Sequence, residues 1–360
     1  MPMRVLLAGG GTAGHVSPLL ALADRLVADD PATKVLALGT ATGLEARLVP
    51  ARGYELHEIP RVPLPRRLGA DVVRMPARLG AAVASAGTAI RSIDADVVVG
   101  FGGYVSAPAY LAARRAKVPI VVHEQNSRPG FANRLGARLT RWVAVSFPDT
   151  PLRHAVRTGL PLRPEIVALD RAATHDRACE KFGLRPDLRT LLVVGGSLGA
   201  QRLNDVMPTV AADLAARGVQ VLHVSGLGKE VDVPPLDCPY VVEPYVEAMD
   251  LAYAAVDLVL GRAGANTVSE ITALGLPAIY VPLPIGNGEQ ALNAAPVVAA
   301  GGGLLVDDAR LDAGWLRANL LPLLENPDRL AAMGTAAAGF GVLDADKRLA
   351  DVVRAAVASR

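Results

Sequence analysis

Short runs rich in Val, Leu and Ile alternate along the whole chain with longer stretches dominated by Ala and Leu. In the first half the short runs are Arg4–Ala8, Lys34–Leu38, Tyr54–Ile59, Ala95–Gly100, Pro119–His123 and Trp142–Val145. In the second half they are Thr190–Val194, Val219–Val224, Tyr240–Glu243, Asp257–Leu260, Ala278–Val281 and Gly303–Val306. Most are nearly continuous rather than alternating, as expected for strands covered on both faces. Strands separated by helical stretches make βαβ units, so the pattern predicts an α/β chain on parallel sheets. The first helix is expected from Pro18, capped by Ser17, with Pro18 at the first helical position. Another should begin near Ala265, and the stretch from about Val342 to Arg360 reads as helical.

The two halves repeat one scheme. "LLAGGGTAGH" closes the first strand of one and "LLVVGGSLGAQ" the first strand of the other. Each places glycines where a strand gives way to a helix, the end of an open α/β sheet at which ligands bind. A boundary falls near "TGLPLRPE", Thr158–Glu165, and two such domains face to face would enclose a cleft.

Length and composition narrow the class. At 360 residues, two domains are expected, and 51% hydrophobic with 20% charged residues fits an ordered globular chain. A net charge of +2 is too mild to argue for nucleic acid. Two cysteines, Cys179 and Cys238, exclude a disulfide scaffold and fit a reducing compartment. The uncharged stretch Val5–Ala23 could mimic a signal peptide, but Gly9-Gly10-Gly11, His15 and Pro18 interrupt it. No segment reads as a membrane span.

Gly9, Gly11 and Gly14 satisfy G-x-G-x-x-G, the phosphate loop of dinucleotide enzymes. Such enzymes place an acid at the end of the second strand to hold the ribose. Here Leu38, Gly39 and Thr40 stand there, and Glu45 falls on the next turn or helix, which argues against a nicotinamide cofactor. The stretch "GRAGANTVSEITALGLPAIYVPLP", Gly261–Pro284, is more informative. A helix N-terminus near Ala265 offers free N–H groups to a sugar or phosphate oxygen, and Glu270 can accept from both ribose hydroxyls. Glu270 also reads as a solvated helix residue, and Arg262 as a packing or salt-bridge residue.

Together with "GGGTAGH", "FGGYVSAP", "HEQN", "GGSLGAQRLN" and "GNGEQALNA", in order through both halves, this stretch resembles the MurG family. These are the membrane-associated N-acetylglucosaminyltransferases of peptidoglycan synthesis, in glycosyltransferase family 28. The resemblance implies a GT-B fold: two Rossmann-like domains whose parallel sheets face each other across a cleft. An acceptor domain would span 1–162, with the helix 342–360 packing back on it, and a UDP-sugar domain 163–341. It implies inverting transfer of GlcNAc from UDP-GlcNAc to the muramyl 4-hydroxyl of lipid I, giving lipid II and UDP, without a metal or other cofactor.

On the donor side the resemblance assigns Ser197 to the nucleotide phosphate, the Val246 backbone to uracil and Glu270 to the ribose. Ala265, Asn266 and Thr267 would line the pyrophosphate and sugar side, and Gln290 would read sugar hydroxyls. Glu289 stands where the family often has a second glutamine, which leaves its role open. Arg163 would neutralise the leaving phosphate. On the acceptor side stand Gly11, Thr12, Gly14, His15, Tyr104 and Glu124, with Asn126 reaching toward the donor sugar. His15 is the candidate base, because an imidazole titrates near working pH; it also reads as a loop histidine on the lipid pyrophosphate. Tyr104 also reads as a packed aromatic, and His123 as a satisfied buried histidine.

Two "DAD" triplets, Asp94–Asp96 and Asp344–Asp346, do not end a donor-domain strand, so neither suits a metal-phosphate clamp. The segment from Arg61 mixes Arg61, Arg66, Arg67, Arg74 and Arg78 with Leu64, Leu68, Val72, Val73, Met75 and Leu79. Such a segment can rest on an anionic membrane surface, which Arg114, Arg115 and Lys117 would extend; it also reads as an ordinary helix face. Cell-wall or division proteins are conceivable partners. The competing classes are a UDP-sugar epimerase on the same fold and a nicotinamide-dependent oxidoreductase.

Overall fold

The computed structural model describes residues 2–62, 70–196 and 199–359. The chain divides into two units, Met1–Arg163 with Leu343–Arg360, and Pro164–Val342. In the first, strands β1 (Arg4–Ala8), β2 (Lys34–Gly39), β3 (Glu55–Glu58), β4 (Val97–Gly100), β5 (Ile120–Glu124), β6 (Trp142–Val145) and β7 (Ala155–Arg157) form one sheet. Its order is β3-β2-β1-β4-β5-β6-β7, and all pairings are parallel. In the second, β8 (Arg189–Val194), β9 (Val219–Val224), β10 (Tyr240–Glu243), β11 (Leu258–Gly261), β12 (Ala278–Tyr280) and β13 (Gly303–Leu305) run parallel in the order β10-β9-β8-β11-β12-β13.

The continuous apolar runs are explained by burial on both faces. Val5 and Leu7 pack with Leu19 and Leu22 and with Leu349 and Val353 of the helix Ala345–Ala358. Leu6 and Ala8, pointing the other way, pack with Ala82, Val105 and Tyr110. In the second unit Leu191 and Val193 join Leu203, Val210 and Leu260. In both sheets the chain order reverses beside the first strand, between β1 and β4 and between β8 and β11. The carboxyl ends of those pairs form the crevice in which doubly wound sheets bind ligands.

One expectation is corrected. The first helix runs Ala13–Asp29, with Thr12 at its extended N-cap, and Pro18 lies inside it. The Thr12 carbonyl accepts from His15 N (3.1 Å) and Val16 N (3.2 Å), closing the first turn well before Pro18. Pro18 lacks an N–H and so gives up one bond of the helix, to the Gly14 carbonyl. Buried Val16, Leu19 and Leu22 hold the helix through it. The edge strand β7 had no apolar signal, since its three residues are all exposed.

Candidate active site

In the first unit, a glycine loop links β1 to the helix Ala13–Asp29. A Cβ at Gly9 would press on Leu19 and Phe101 at 3.1 Å, and Gly11 has φ +90°. Its neighbour is the loop after β4: a Cβ at Gly103 would lie 2.5 Å from the Gly10 carbonyl oxygen. Ser106 pins that second loop, accepting from Gly102 N (2.9 Å) while its hydroxyl faces the Ala8 and Gly102 carbonyls. His15 stands between the loops. Its Nδ1 lies 3.0 Å from Thr12 Oγ1, and a Cβ on Gly102 would be 3.2 Å from its Nε2. Burial pushes the imidazole below its ordinary pKa against the opposing hydrogen bond to the Gly10 carbonyl and the charge of Glu45, so it is neutral at pH 7.

Glu45, too far along the chain to be a ribose ligand of the second strand, is bonded to this loop. Its carboxylate accepts from Gly11 N (2.8 Å), Thr40 N (3.0 Å) and Thr40 Oγ1 (2.8 Å). The Gly11 amide is therefore committed inside the protein. Beside it, Gly10, Gly11, Thr40, Thr42, Gly43, Glu45, Arg61, Tyr104 and Val105 line an open pocket. Tyr104 is 37% exposed, and the Arg61 guanidinium lies 5.1 Å from its ring centre, within cation–π range. Tyr104 thus lines the pocket rather than the core.

Glu124, at the end of β5, is buried. It accepts from Asn126 N (2.9 Å), Gly130 N (3.0 Å) and Asn133 Nδ2 (3.0 Å), so it shapes the loop that carries Asn126. Burial raises its pKa despite these bonds. His123 is fully buried, with Nε2 3.0 Å from the Gly159 carbonyl oxygen, and burial pushes it down to about 4. Arg163 is the last residue of this unit before the break at Pro164.

In the second unit, the matching loop follows β8. Gly196 has φ +81°, and a Cβ on Gly199 (φ +65°) would strike the Ser225 carbonyl oxygen at 2.0 Å, so only glycine allows this close approach. Ser197 and Leu198 lie outside the described residues. Asn204 supports the loop from below, donating to the Ser225 carbonyl (3.0 Å) and meeting His223 Nε2 (3.0 Å), while Tyr240 OH meets His223 Nδ1 (2.9 Å). Burial lowers His223 to about 4.

After β11, the loop Arg262–Gly264 leads into the helix Ala265–Ala273, whose first turn carries Ala265, Asn266 and Thr267. Asn266 Oδ1 is buried with no partner among the described residues, an acceptor suited to a ligand hydroxyl. Glu270 is 8% exposed, and its Oε2 accepts from the buried Tyr253 hydroxyl at 2.9 Å. Gln290 Oε1 accepts from Ala263 N (3.2 Å) and Leu283 N (3.0 Å), which directs its amide nitrogen to other partners. Glu289, whose role the sequence left open, exchanges hydrogen bonds with Asn287 at the start of its helix: its carboxylate accepts from Asn287 N (3.2 Å) and its N–H donates to Asn287 Oδ1 (3.1 Å). Arg262 is the salt-bridge residue of its alternative reading, 2.5 Å from Asp308 Oδ1 and donating to the Val281 and Pro282 carbonyls. Val246 is buried between β10 and the helix Met249–Ala254.

Residues 5–145 match the model of the glycosyltransferase family 28 N-terminal domain, and residues 190–349 that of its C-terminal domain. The chain belongs to glycosyltransferase family 28. Among relatives, a Nocardioides sp. protein is 57% identical over 98% of this chain and 97% of its own length. A Streptomyces avermitilis protein is 55% identical over 99% of both chains. Both are named UDP-N-acetylglucosamine--N-acetylmuramyl-(pentapeptide) pyrophosphoryl-undecaprenol N-acetylglucosamine transferase. The crystal structure of Acinetobacter baumannii MurG superposes with TM-score 0.79 at 30% identity, covering 98% of this chain and 100% of that one. The UDP-GlcNAc 2-epimerase of Neisseria meningitidis shares the fold alone, with TM-score 0.70 at 15% identity over 98% of this chain and 100% of that one. The two Rossmann-like sheets and the family 28 resemblance are thus both present in the chain, and the epimerase alternative is not favoured.

Proposed function

We propose that the chain transfers GlcNAc from UDP-GlcNAc to the muramyl 4-hydroxyl of lipid I, with inversion, releasing UDP and forming lipid II. The observation that carries this is end-to-end identity of 55–57% with transferases of that name, through both family 28 halves.

The acceptor hydroxyl must lose a proton as it attacks, and His15 is the base. Burial keeps its imidazole neutral, and a neutral imidazole can take that proton. On the donor side Glu270, oriented by Tyr253, accepts from the ribose hydroxyls. Asn266 and Gln290 supply an acceptor and a donor for the sugar, and Ala265 and Thr267 offer the helix N-terminus to the pyrophosphate. Val246 meets uracil through its backbone. Ser197, outside the described residues, and Arg163 take the charge that develops on UDP as it leaves. Gly11, Thr12, Gly14, Tyr104, Glu124 and Asn126 complete the acceptor side, although Gly11 N and Glu124 act there through the loops they shape.

No metal is assigned a role. Asp94 and Asp96 are engaged by Arg4 at 2.6 and 2.8 Å, a structural ion pair. Among the described residues no helix is long and apolar enough to cross a membrane. The enzyme meets its polyprenyl acceptor peripherally, at the cytoplasmic face of the cell membrane. Arg61, Arg78, Arg114, Arg115 and Lys117 are all exposed on the first unit and supply a basic surface for anionic headgroups. Arg66 and Arg67 of that segment fall outside the described residues.

The deciding experiment measures UDP release with a soluble lipid I analogue in wild type, His15→Ala, Glu270→Ala and Ser197→Ala. Glu270→Ala and Ser197→Ala should raise the donor KM, and His15→Ala should lower kcat by at least 100-fold, the general-base contribution. Wild-type turnover in His15→Ala removes it as base. Absence of UDP release from the wild type removes the function.

A further inference from the structure

Glu45 plays no part in the reaction just described, yet it is only 1% exposed. Burying an ionised carboxylate is costly unless hydrogen bonds replace its water. Here they do, from Thr40 on one oxygen and from Gly11, 34 residues away, on the other. Three glycines clear the space it fills. A Cβ would come within 2.4 Å of its carboxylate at Gly10, 2.1 Å at Gly43, and 2.4 Å of its Cγ at Gly39.

What this anion holds is one peptide plane. The Gly11 N–H and the Gly10 carbonyl belong to the same trans peptide and point in opposite directions. With the N–H fastened to Glu45, the carbonyl is turned away from it, toward the His15 imidazole and the backbone at Gly103. A carbonyl only accepts, so an imidazole nitrogen that faces it must carry the proton, which selects one tautomer of the ring. A glycine loop has little conformational preference of its own. Without an anchor, the Gly10–Gly11 peptide can turn over, and the carbonyl is lost from the imidazole.

We propose that Glu45 is a positioning residue for the acceptor step: through the Gly10–Gly11 peptide it aims a carbonyl at His15 and fixes the orientation and tautomer of the imidazole. This rests on His15 as the base. The role parallels that of a carboxylate that orients a catalytic histidine directly, with a peptide group interposed.

The test uses the full chain and the UDP-release assay with a soluble lipid I analogue. In Glu45→Gln, which nearly preserves shape, a donor amide must face either Gly11 N–H or the Thr40 donors. The expected result is a fall in kcat of about 10- to 100-fold, the scale of an ångström-sized misplacement. The KM for UDP-GlcNAc should stay within twofold of wild type and the melting temperature should change little. Gly43→Ala keeps the acid but presses a methyl against Oε2; it should show the same split, and it decides the matter if Glu45→Gln does not accumulate folded. The proposal is overturned if the deciding variant turns over within twofold of wild type, or if its kcat, donor KM and melting temperature all worsen together, as a purely structural role requires. His15→Ala separates the two readings. Its retention of activity sinks the base assignment, whereas an inactive His15→Ala beside an active Glu45→Gln sinks only the role of Glu45.

Discussion

The Tyr253 hydroxyl gives a direct route to testing how the donor site is held. Tyr253 is 1% exposed, and its OH lies 2.9 Å from Glu270 Oε2, on a carboxylate that is itself 8% exposed. Replacing it with Phe keeps the ring and its packing and deletes one hydroxyl. A hydrogen bond to a charged group contributes about 1.5–3 kcal/mol, and burial at this level leaves little water to replace it. If the whole of that loss fell on UDP binding, affinity would drop by about 10- to 150-fold. Part of it falls on the unliganded fold, because Glu270 is oriented by the same bond before any ligand arrives. The expected outcome for Tyr253→Phe is therefore about a tenfold weaker UDP affinity by titration calorimetry, with kcat at saturating donor close to wild type. A loss confined to KM is the sign of binding shared by ground and transition states. UDP affinity within twofold of wild type in a folded Tyr253→Phe protein would refute the claim that this bond prepares Glu270 for the ribose.

Three further outcomes follow from the same structure. His123 and His223, each held near pKa 4 by burial, stay neutral in the fold, whereas the unfolded chain takes up a proton below about pH 6.5. The unfolded state then binds more protons between pH 6.5 and 4, so stability falls as pH drops through that window, by up to about 3 kcal/mol per histidine. Scanning calorimetry at pH 7, 5.5 and 4.5 should show this, Glu124 with its raised pKa working the opposite way; a flat melting temperature contradicts it. Turnover should survive excess EDTA, and a loss restored by Mg²⁺ or Mn²⁺ would overturn the metal-free account. Binding to anionic liposomes should exceed binding to neutral ones and weaken with salt, at roughly 1 kcal/mol per engaged Lys or Arg; equal partition counts against the basic surface.

Much of the architecture was legible in the sequence because it depends on local pattern. A parallel strand covered on both faces must be apolar nearly throughout, and β1, β6 and β9 lie where such runs stand. The glycine clusters mark strand ends because only close backbone approach requires them, as at Gly103 and Gly199. Other features had no local signal. Edge strand β7 is three exposed residues, paired only because β6 is there to pair with. Ser17 and Pro18 satisfy the local rule for the start of the first helix, but the Thr12 carbonyl and the buried face of Val16 and Leu19 decide the outcome.

The sequence by itself determined the class of chain: parallel α/β halves, a glycine turn opening each, and an ordered set of motifs shared with family 28. Tertiary structure alone decided which polar groups are spent internally and which remain to meet a ligand. Glu45 turns to Gly11, Tyr253 to Glu270, and the oxygen of Gln290 to two backbone amides. The reason is physical. A strand's burial is written in its own residues, but a polar side chain's role depends on which donors and acceptors the fold brings within 3 Å. Those partners lie 17 to 34 residues away or come from other elements.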